Sequence, residues 1–285
     1  MRRALIVANK WWEADPLVAV LTSARTNPQT PLLLRDDEGT GLRGVFEGTR
    51  GRIEVWCLQE MMGAAVSGSS SEEKARVLQP LLESDDVAIV VAFGTAASAD
   101  DETQNGSVVS GTCVFLHDAR LGGSSSHWQI PRENQIVTSA LTDDAFEKIA
   151  GSPDVAQRVA TLALEAPNVP AKPAFAHRLD FVALADVNVT DYHKYTDADK
   201  TVVRAFNEVN PPNPIGSLET THGVIRECLP DNVPFMFVSG ITDTVGLFDQ
   251  EVTPAKYQQN FVAAHNAGLA IAAMLPALMA FLTPE

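Results

Sequence analysis

Residues 233–243 read Val-Pro-Phe-Met-Phe-Val-Ser-Gly-Ile-Thr-Asp, an apolar run that ends in a carboxylate. A second run, Val-Ala-Ile-Val-Val-Ala-Phe at 87–93, is continuously apolar and is followed by Gly94 and Thr95. Continuous apolar runs of this length are typical of strands that are covered on both faces. The two segments therefore predict the central strands of a sheet that carries helices on both sides.

Shorter apolar runs alternate with helix-like segments along the rest of the chain, a pattern typical of an α/β domain. Strands are predicted at 4–8, 53–58, 87–93, 107–116, 179–185 and 235–240. Helix starts are indicated by N-cap residues that precede a proline or open a capping box, at Asp15, Ser70, Ser152 and Thr253. Nothing in the 285 residues suggests a break, so a single domain over 1–285 is expected.

The charge and composition exclude several classes of partner. The net charge is −15, and so acidic a surface repels phosphate backbones and anionic lipids. Neither nucleic acid nor a membrane surface is therefore expected to bind. The apolar run at 4–8 is too short for a signal peptide, and the apolar stretch 261–282 is predicted to be a buried helix. These features favour a cytoplasmic protein.

Motifs for several familiar chemistries are missing from the sequence. The Ser/Gly-rich segment 63–71 lacks the G-K-[ST] of a phosphate-binding loop, and no G-x-G-x-x-G follows a predicted strand. G-x-S-x-G and H-E-x-x-H motifs are absent as well. The cysteines are too far apart for a zinc site or a disulfide framework, at Cys57, Cys113 and Cys228. Dinucleotide binding, serine hydrolysis and zinc catalysis are therefore poorly supported.

Polar residues stand where several predicted strands end, which is the place where open α/β sheets bind ligands. They are Glu13, Gly94 with Thr95, Asn188 and Asp243, and Glu219 at the start of a helix predicted over 220–229. Taken singly, an aspartate there can be a helix cap and a glutamate an acidic residue of a first helical turn. Together they predict three carboxylates and a glycine turn at one edge of the sheet.

The segment 217–225, Ser-Leu-Glu-Thr-Thr-His-Gly-Val-Ile, followed by 233–243, resembles the signature of the nucleoside phosphorylase superfamily. The likeness is greatest to the methylthioadenosine/S-adenosylhomocysteine nucleosidases. Residues 93–97, 105–110 and 262–267 resemble the glycine turn, a strand start and the last helix of that family. The resemblance implies a three-layer α/β/α sandwich with a central mixed sheet.

The same resemblance implies cleavage of an N-glycosidic bond and a role for each carboxylate. The residue matching Glu219 holds ribose hydroxyls, and the residue matching Asp243 protonates the purine at N7. Glu13 matches, after a shift of one residue, the glutamate that orients the attacking water. The roles are chemically sensible because the bond breaks to an oxocarbenium-like sugar and the leaving base must receive a proton.

Further expectations follow from the resemblance. The substrate-binding residues that it implies are Gly94, Thr95, Asn188, Leu218, Ser239 and Thr242. It implies a small-molecule nucleoside as substrate, no metal and no organic cofactor, and a homodimer or higher homo-oligomer.

The chain departs from the family pattern at three positions, of which the first favours water over phosphate as the nucleophile. No arginine precedes Gly94, where phosphorylases of the superfamily anchor phosphate. Ser239 replaces an arginine of the nucleosidases, and Asn188 replaces an aromatic residue that stacks on the base. A phosphorylase, and a non-catalytic nucleoside-binding protein on the same fold, stay open as alternatives. Histidines that could reach the site, although a lone histidine is more often structural, are His117, His193 and His222.

Overall fold

The computed structural model describes residues 1–23, 32–33, 40–48, 51–63, 69–99, 103, 105–111, 114–118, 126–128, 182–186, 201, 204–205, 208, 216–252 and 258–282. Its strands are β1 (Arg2–Ala8), β2 (Leu32–Leu33), β3 (Leu42–Glu47), β4 (Gly51–Cys57), β5 (Val87–Ser98), β6 (Val108–Gly111), β7 (Val114–Asp118), β8 (Ser126–Trp128), β9 (Val182–Asp186), β10 (Ser217–Glu219) and β11 (Phe235–Thr244). The helices with described bounds are α1 (Trp11–Ser23), α2 (Leu58–Met62), α3 (Ser71–Leu82), α4 (His222–Glu227), α5 (Phe248–Glu251) and α6 (Gln258–Phe281).

The strands form one 11-stranded mixed sheet that is organised around β5. The first part of β5 pairs in parallel with β1, and residues 90–98 pair in parallel with β11 on the other side. Strand β1 ends at Ala8, opposite Phe93, and β10 pairs antiparallel with β5 only from Ala97 onward. The intervening segment, 94–96, therefore has no partner among the described strands on that side, and the candidate site forms there.

Two apolar clusters, one on each face of the sheet, make the core. Alternate residues of β1 divide between them: Ala4, Ile6 and Ala8 join the cluster that contains residues of α1 and α6, and Leu5 and Val7 join the other. This division follows from the period-two alternation of side chains along a strand. The expected three-layer α/β architecture with a central mixed sheet is confirmed.

Several predicted boundaries were wrong. The predicted strand over 107–116 is two strands, β6 and β7, and the predicted turn after Phe93 continues β5 to Ser98. Glu219 ends β10 instead of opening a helix, and α4 begins at His222. In each case pairing with a neighbouring strand, which local sequence does not report, sets the boundary.

The helix starts were predicted with mixed success. Ser70 and Glu73 form the expected capping box at the start of α3. The start predicted at Asp15 was wrong, because α1 begins at Trp11 and includes Pro16. The starts predicted at Ser152 and Thr253 lie outside the described residues.

Helix α6 is long and apolar enough to cross a membrane by length and composition, over Gln259–Met279. In the described structure, however, 78% of its most apolar window is buried inside the protein. Ala267, Ala270 and Ile271 of this helix belong to the same apolar cluster as Leu17 and Leu21 of α1. This agrees with the prediction of a buried helix.

The contact between β11 and α6 depends on a glycine. A Cβ at Gly240 would overlap the backbone carbonyl of Ala263, whereas a Cβ at Gly268 would meet Leu17 and Val20 at ordinary contact distances of 3.4 Å. We expect Gly240→Ala to lower the free energy of unfolding by about 2 kcal/mol or more, because packed backbone must move. The matched change Gly268→Ala should be neutral or stabilising by up to about 1 kcal/mol, because alanine favours helix. Urea unfolding measures both, and equal effects would contradict this account.

Candidate active site

Glu13 occupies the gap in the sheet beside the end of β5. Its side chain is 2% exposed. Oε1 accepts hydrogen bonds from the backbone N–H of Thr95 at 2.9 Å and from the Thr95 hydroxyl at 2.7 Å. Oε2 accepts one from the backbone N–H of Lys10 at 2.9 Å. The carboxylate thus takes the place of a strand partner for Thr95, and Oε2 keeps a free acceptor position.

Gly94 makes this approach possible. A Cβ at Gly94 would lie 3.3 Å from Oε1 of Glu13, tighter than nine in ten Cβ contacts, so the carboxylate would have to shift. Burial raises the pKa of Glu13, while the charge of Lys10 and the hydrogen bonds from Thr95 and Lys10 act in the opposite direction. The first of the three predicted carboxylates therefore lies where the sequence placed it, and the glycine is needed by close approach rather than by a turn.

Asp243 lies near the end of β11, opposite Ala97 of β5. It is 4% exposed, and the hydroxyl of Thr242 donates a hydrogen bond of 2.5 Å to Oδ1. Burial raises the pKa of Asp243 to about 7; the Thr242 hydroxyl works against the rise, and the charge of Glu251 adds to it. Asp243 lies within a strand and does not cap a helix.

Glu219 lies across β5 from Asp243, at the end of β10, and caps the start of α4. Both of its carboxylate oxygens accept hydrogen bonds from the backbone N–H of Thr221 at 2.8 Å, and Oε1 also accepts from the N–H of His222. Burial raises the pKa of Glu219 to about 7, although these donors and the charge of Lys74 lower it. The interpretation of Glu219 as a residue of a helix start therefore describes part of its role.

Lys74 is a feature of the site that the sequence analysis missed. It is 2% exposed on α3, and its ammonium group donates to the backbone carbonyl of Thr220, next to Glu219. Lys74 shares the buried stripe of α3 with Leu78 and Leu82. A charged residue at four-residue spacing in an apolar stripe was the signal that could have revealed it, because a lysine is buried only beside a compensating group.

The remaining candidates take the following positions. Ser239 is buried and pairs with Gly94, and Leu218 pairs with Ala97. Thr242 contacts Asp243 directly, and its backbone carbonyl accepts a hydrogen bond from the Gln259 side chain. The structure thus gathers the predicted catalytic and substrate-binding residues that it describes around residues 94–98 of β5. His117, in contrast, lies on β7, which is separated from β5 by β10 and β9. Asn188 and His193 lie outside the described residues.

Among the described residues there is no group of three or more His, Cys, Asp or Glu side chains that could hold a metal ion. Two of the cysteines, Cys57 and Cys228, are free. Burial raises the pKa of Cys57 to about 12 and that of Cys228 to about 11, so both are inert thiols near neutral pH.

Comparison with solved structures shows that the chain has the nucleoside phosphorylase-like fold. The 5′-methylthioadenosine/S-adenosylhomocysteine nucleosidase of Helicobacter pylori superposes with a TM-score of 0.58 and 12% identity, covering 96% of this chain and 98% of that one. The futalosine hydrolase of Helicobacter pylori gives a TM-score of 0.58 and 12% identity over 96% and 97% of the two chains.

A third similar structure is a methylthioadenosine/S-adenosylhomocysteine nucleosidase of Colwellia psychrerythraea in complex with adenine. Its TM-score is 0.53 at 15% identity, over 97% of this chain and 96% of that one. Neither the protein-family models nor the curated protein sequences give a match. At such identities the comparisons establish the fold alone, because the same fold can carry different functions.

The raised pKa of Asp243 predicts a pH-dependent stability. Because its pKa of about 7 exceeds the ordinary value of 3.8, the folded protein binds the extra proton between these pH values. The free energy that this proton contributes to the stability of the fold is fully present below about pH 4, and it is lost as the pH rises through 7. Asparagine cannot ionise, so the stability gain of Asp243→Asn over wild type should grow with pH, by at most about 4 kcal/mol.

Thermal unfolding of wild type and Asp243→Asn across this pH range measures the effect. The control is Asp249→Asn, which removes a carboxylate from the exposed surface of α5. If the difference in stability between Asp243→Asn and wild type stays constant with pH, the Asp243 carboxyl is not held in its protonated form.

Proposed function

We propose that this protein is a nucleosidase that hydrolyses the N-glycosidic bond of a purine nucleoside or of a 5′-substituted nucleoside. The observation that carries the proposal is the arrangement of three buried carboxyl groups, Glu13, Glu219 and Asp243, around residues 94–98 of β5. Burial raises the pKa of each, and in Asp243 this provides a proton donor near neutral pH. The fold, which is shared with known nucleosidases, supports the same proposed function.

Asp243 is proposed as the general acid. With a pKa of about 7 it is partly protonated at neutral pH and can give its proton to N7 of the departing purine. As the C1′–N bond breaks, its electron pair passes to the base, which this proton neutralises. Thr242 donates to Oδ1 and so leaves Oδ2 available for the proton that is transferred.

Glu219 and Glu13 are proposed to act on the sugar and on the water. Oε2 of Glu219 accepts only one described hydrogen bond and retains room for a ribose hydroxyl. Its negative charge would stabilise the oxocarbenium-like sugar. Glu13 is held rigidly by Thr95, and its Oε2 can accept a hydrogen bond from water. The water oxygen forms the new bond to C1′, and its proton passes to Glu13.

The remaining substrate contacts are proposed at Gly94, Thr95, Asn188, Leu218, Ser239 and Thr242. Proton transfer and electrostatics suffice for the reaction, so no metal or organic cofactor is proposed. A homodimer or higher oligomer in the cytoplasm is also proposed. Trp11, two residues before Glu13 in the chain, is 41% exposed. It packs edge-on against Trp12 and Phe261, which fits either a shield over the site or a subunit contact.

Two alternatives differ in their chemistry. A phosphorylase would have to bind a phosphate dianion beside three carboxyl groups, and like charges at short range oppose this unless cations compensate them. The described contacts of Glu13 and Asp243 include no arginine, which favours water. A nucleoside-binding protein without catalysis would use the same residues as ligand contacts.

Base release tests the proposal. Purified protein is incubated with purine and pyrimidine nucleosides, including 5′-substituted ones, and free base is followed by chromatography with and without phosphate. We expect release from a purine nucleoside that needs no phosphate. Release only in the presence of phosphate would establish the phosphorylase, and binding without release would establish the non-catalytic protein.

Asp243→Asn separates catalysis from binding. Loss of the acid should lower kcat by about 100-fold or more, because general acid catalysis typically contributes that much. The affinity for a nucleoside should change far less. In wild type, kcat should fall as the pH rises above about 7, since Asp243 must be protonated. Asp249→Asn serves as the control, and an unchanged kcat in Asp243→Asn would refute the assignment.

A further inference from the structure

His222, the first residue of α4, is a fully buried histidine, and neither ring nitrogen makes a hydrogen bond of good geometry with a described residue, although the Phe93 carbonyl acts on the ring as a weak acceptor. Leaving buried polar atoms unpaired costs about 1–3 kcal/mol each, so such a group in a native fold requires an explanation. Its ring is stacked on Phe237, with centroids 5.8 Å apart and an interplanar angle of 29°. The ring is therefore fixed in orientation, and at least one of its nitrogens has no partner among the described residues.

The surroundings of His222 are the groups of the candidate site. Nδ1 lies 3.8 Å from Oε1 of Glu219, too far for a direct hydrogen bond. The charge of Glu13 and the carbonyl of Phe93 both favour a protonated ring, but burial outweighs them and lowers the pKa of His222 to about 3. The ring is thus neutral at physiological pH and offers one donor and one acceptor.

The sheet register brings further unpaired polar atoms to the same place. Ser239 follows Phe237 by two residues and so lies on the same face of β11 as the residue on which His222 stacks. Its hydroxyl is buried and unpaired, and its strand neighbour is Gly94, against which the Glu13 carboxylate lies. Thr221 adds another buried hydroxyl without a partner.

We propose that His222 is a water-positioning residue: its neutral ring holds the attacking water against Glu13, with the Ser239 hydroxyl as a further contact. This inference rests on the proposed hydrolysis. The water donates one hydrogen bond to Oε2 of Glu13 and the other to the acceptor nitrogen of His222. When the water oxygen bonds to C1′, Glu13 takes the proton, and His222 stays neutral and only orients the attack.

The test compares kcat, KM and thermal stability of His222→Phe with those of wild type, using the nucleoside that wild type hydrolyses best. Phenylalanine keeps the stacking on Phe237 and removes both ring nitrogens. We expect kcat to fall about 100-fold, because the nucleophile is no longer oriented. KM should change less than about threefold, and Tm should be unchanged or higher because no unpaired polar atom is left at this position.

Two further variants make the result specific. His222→Gln retains a polar end and should recover part of the lost kcat. Ser110→Ala is the matched control: its buried hydroxyl is also unpaired, but its strand neighbour Val238 belongs to the apolar cluster of the other face, so kcat should not change. If His222→Phe does not fold, His222→Leu takes its place with the same expected loss.

The outcomes separate the two proposals. Hydrolysis by wild type with an unchanged kcat in His222→Phe would overturn the role of His222 and leave the nucleosidase intact. A parallel fall of kcat and Tm, with no recovery in His222→Gln, would show a purely structural histidine and also overturn it. No base release by wild type from any nucleoside would refute the proposed function, and the role of His222 with it.

Discussion

The hydrogen bonds from Thr95 to the carboxylate of Glu13 are the interaction on which the site depends. Strand β1 ends at Ala8 while β5 continues, so the Thr95 N–H would be left without a strand partner. Glu13, on the first turn of the helix that follows β1, supplies the missing acceptor. One side chain thus completes the sheet and brings a carboxylate to the point where α/β sheets bind ligands.

Burying the carboxyl groups of the site lowers the stability of the fold, which is common at functional sites. Glu13, Glu219 and Asp243 are all withdrawn from water, and burial opposes the ionisation of each. Among the described residues, the compensating groups of these three carboxyls are local and include no arginine. Backbone N–H groups and hydroxyls bind the carboxylates, and the buried ammonium of Lys74 lies near Glu219. Because burial destabilises the ionised forms, these carboxyl groups take up a proton more readily than exposed carboxyl groups do.

Much of the fold could be predicted from the sequence. The continuous apolar runs at 87–93 and 235–240 were correctly predicted as central strands, because strands covered on both faces must be apolar throughout. The predictions failed where structure depends on partners distant in the chain. Strand β10 has only three residues and exists because it pairs with the ends of β5 and β9. Local sequence carries no record of such pairing.

The sequence by itself determined which residues are proposed to carry the chemistry: the carboxylates that follow apolar runs are those that the structure gathers around β5. It determined this because strand ends in an α/β sheet are where polar groups can meet a ligand. Only the tertiary structure decided how they are used. It alone shows that Gly94 makes room for Glu13, that Lys74 is buried next to Glu219, and that His222 is fully enclosed with a ring nitrogen that no described residue binds. Burial and pairing between distant segments create these relations, and they also set the pKa of each group.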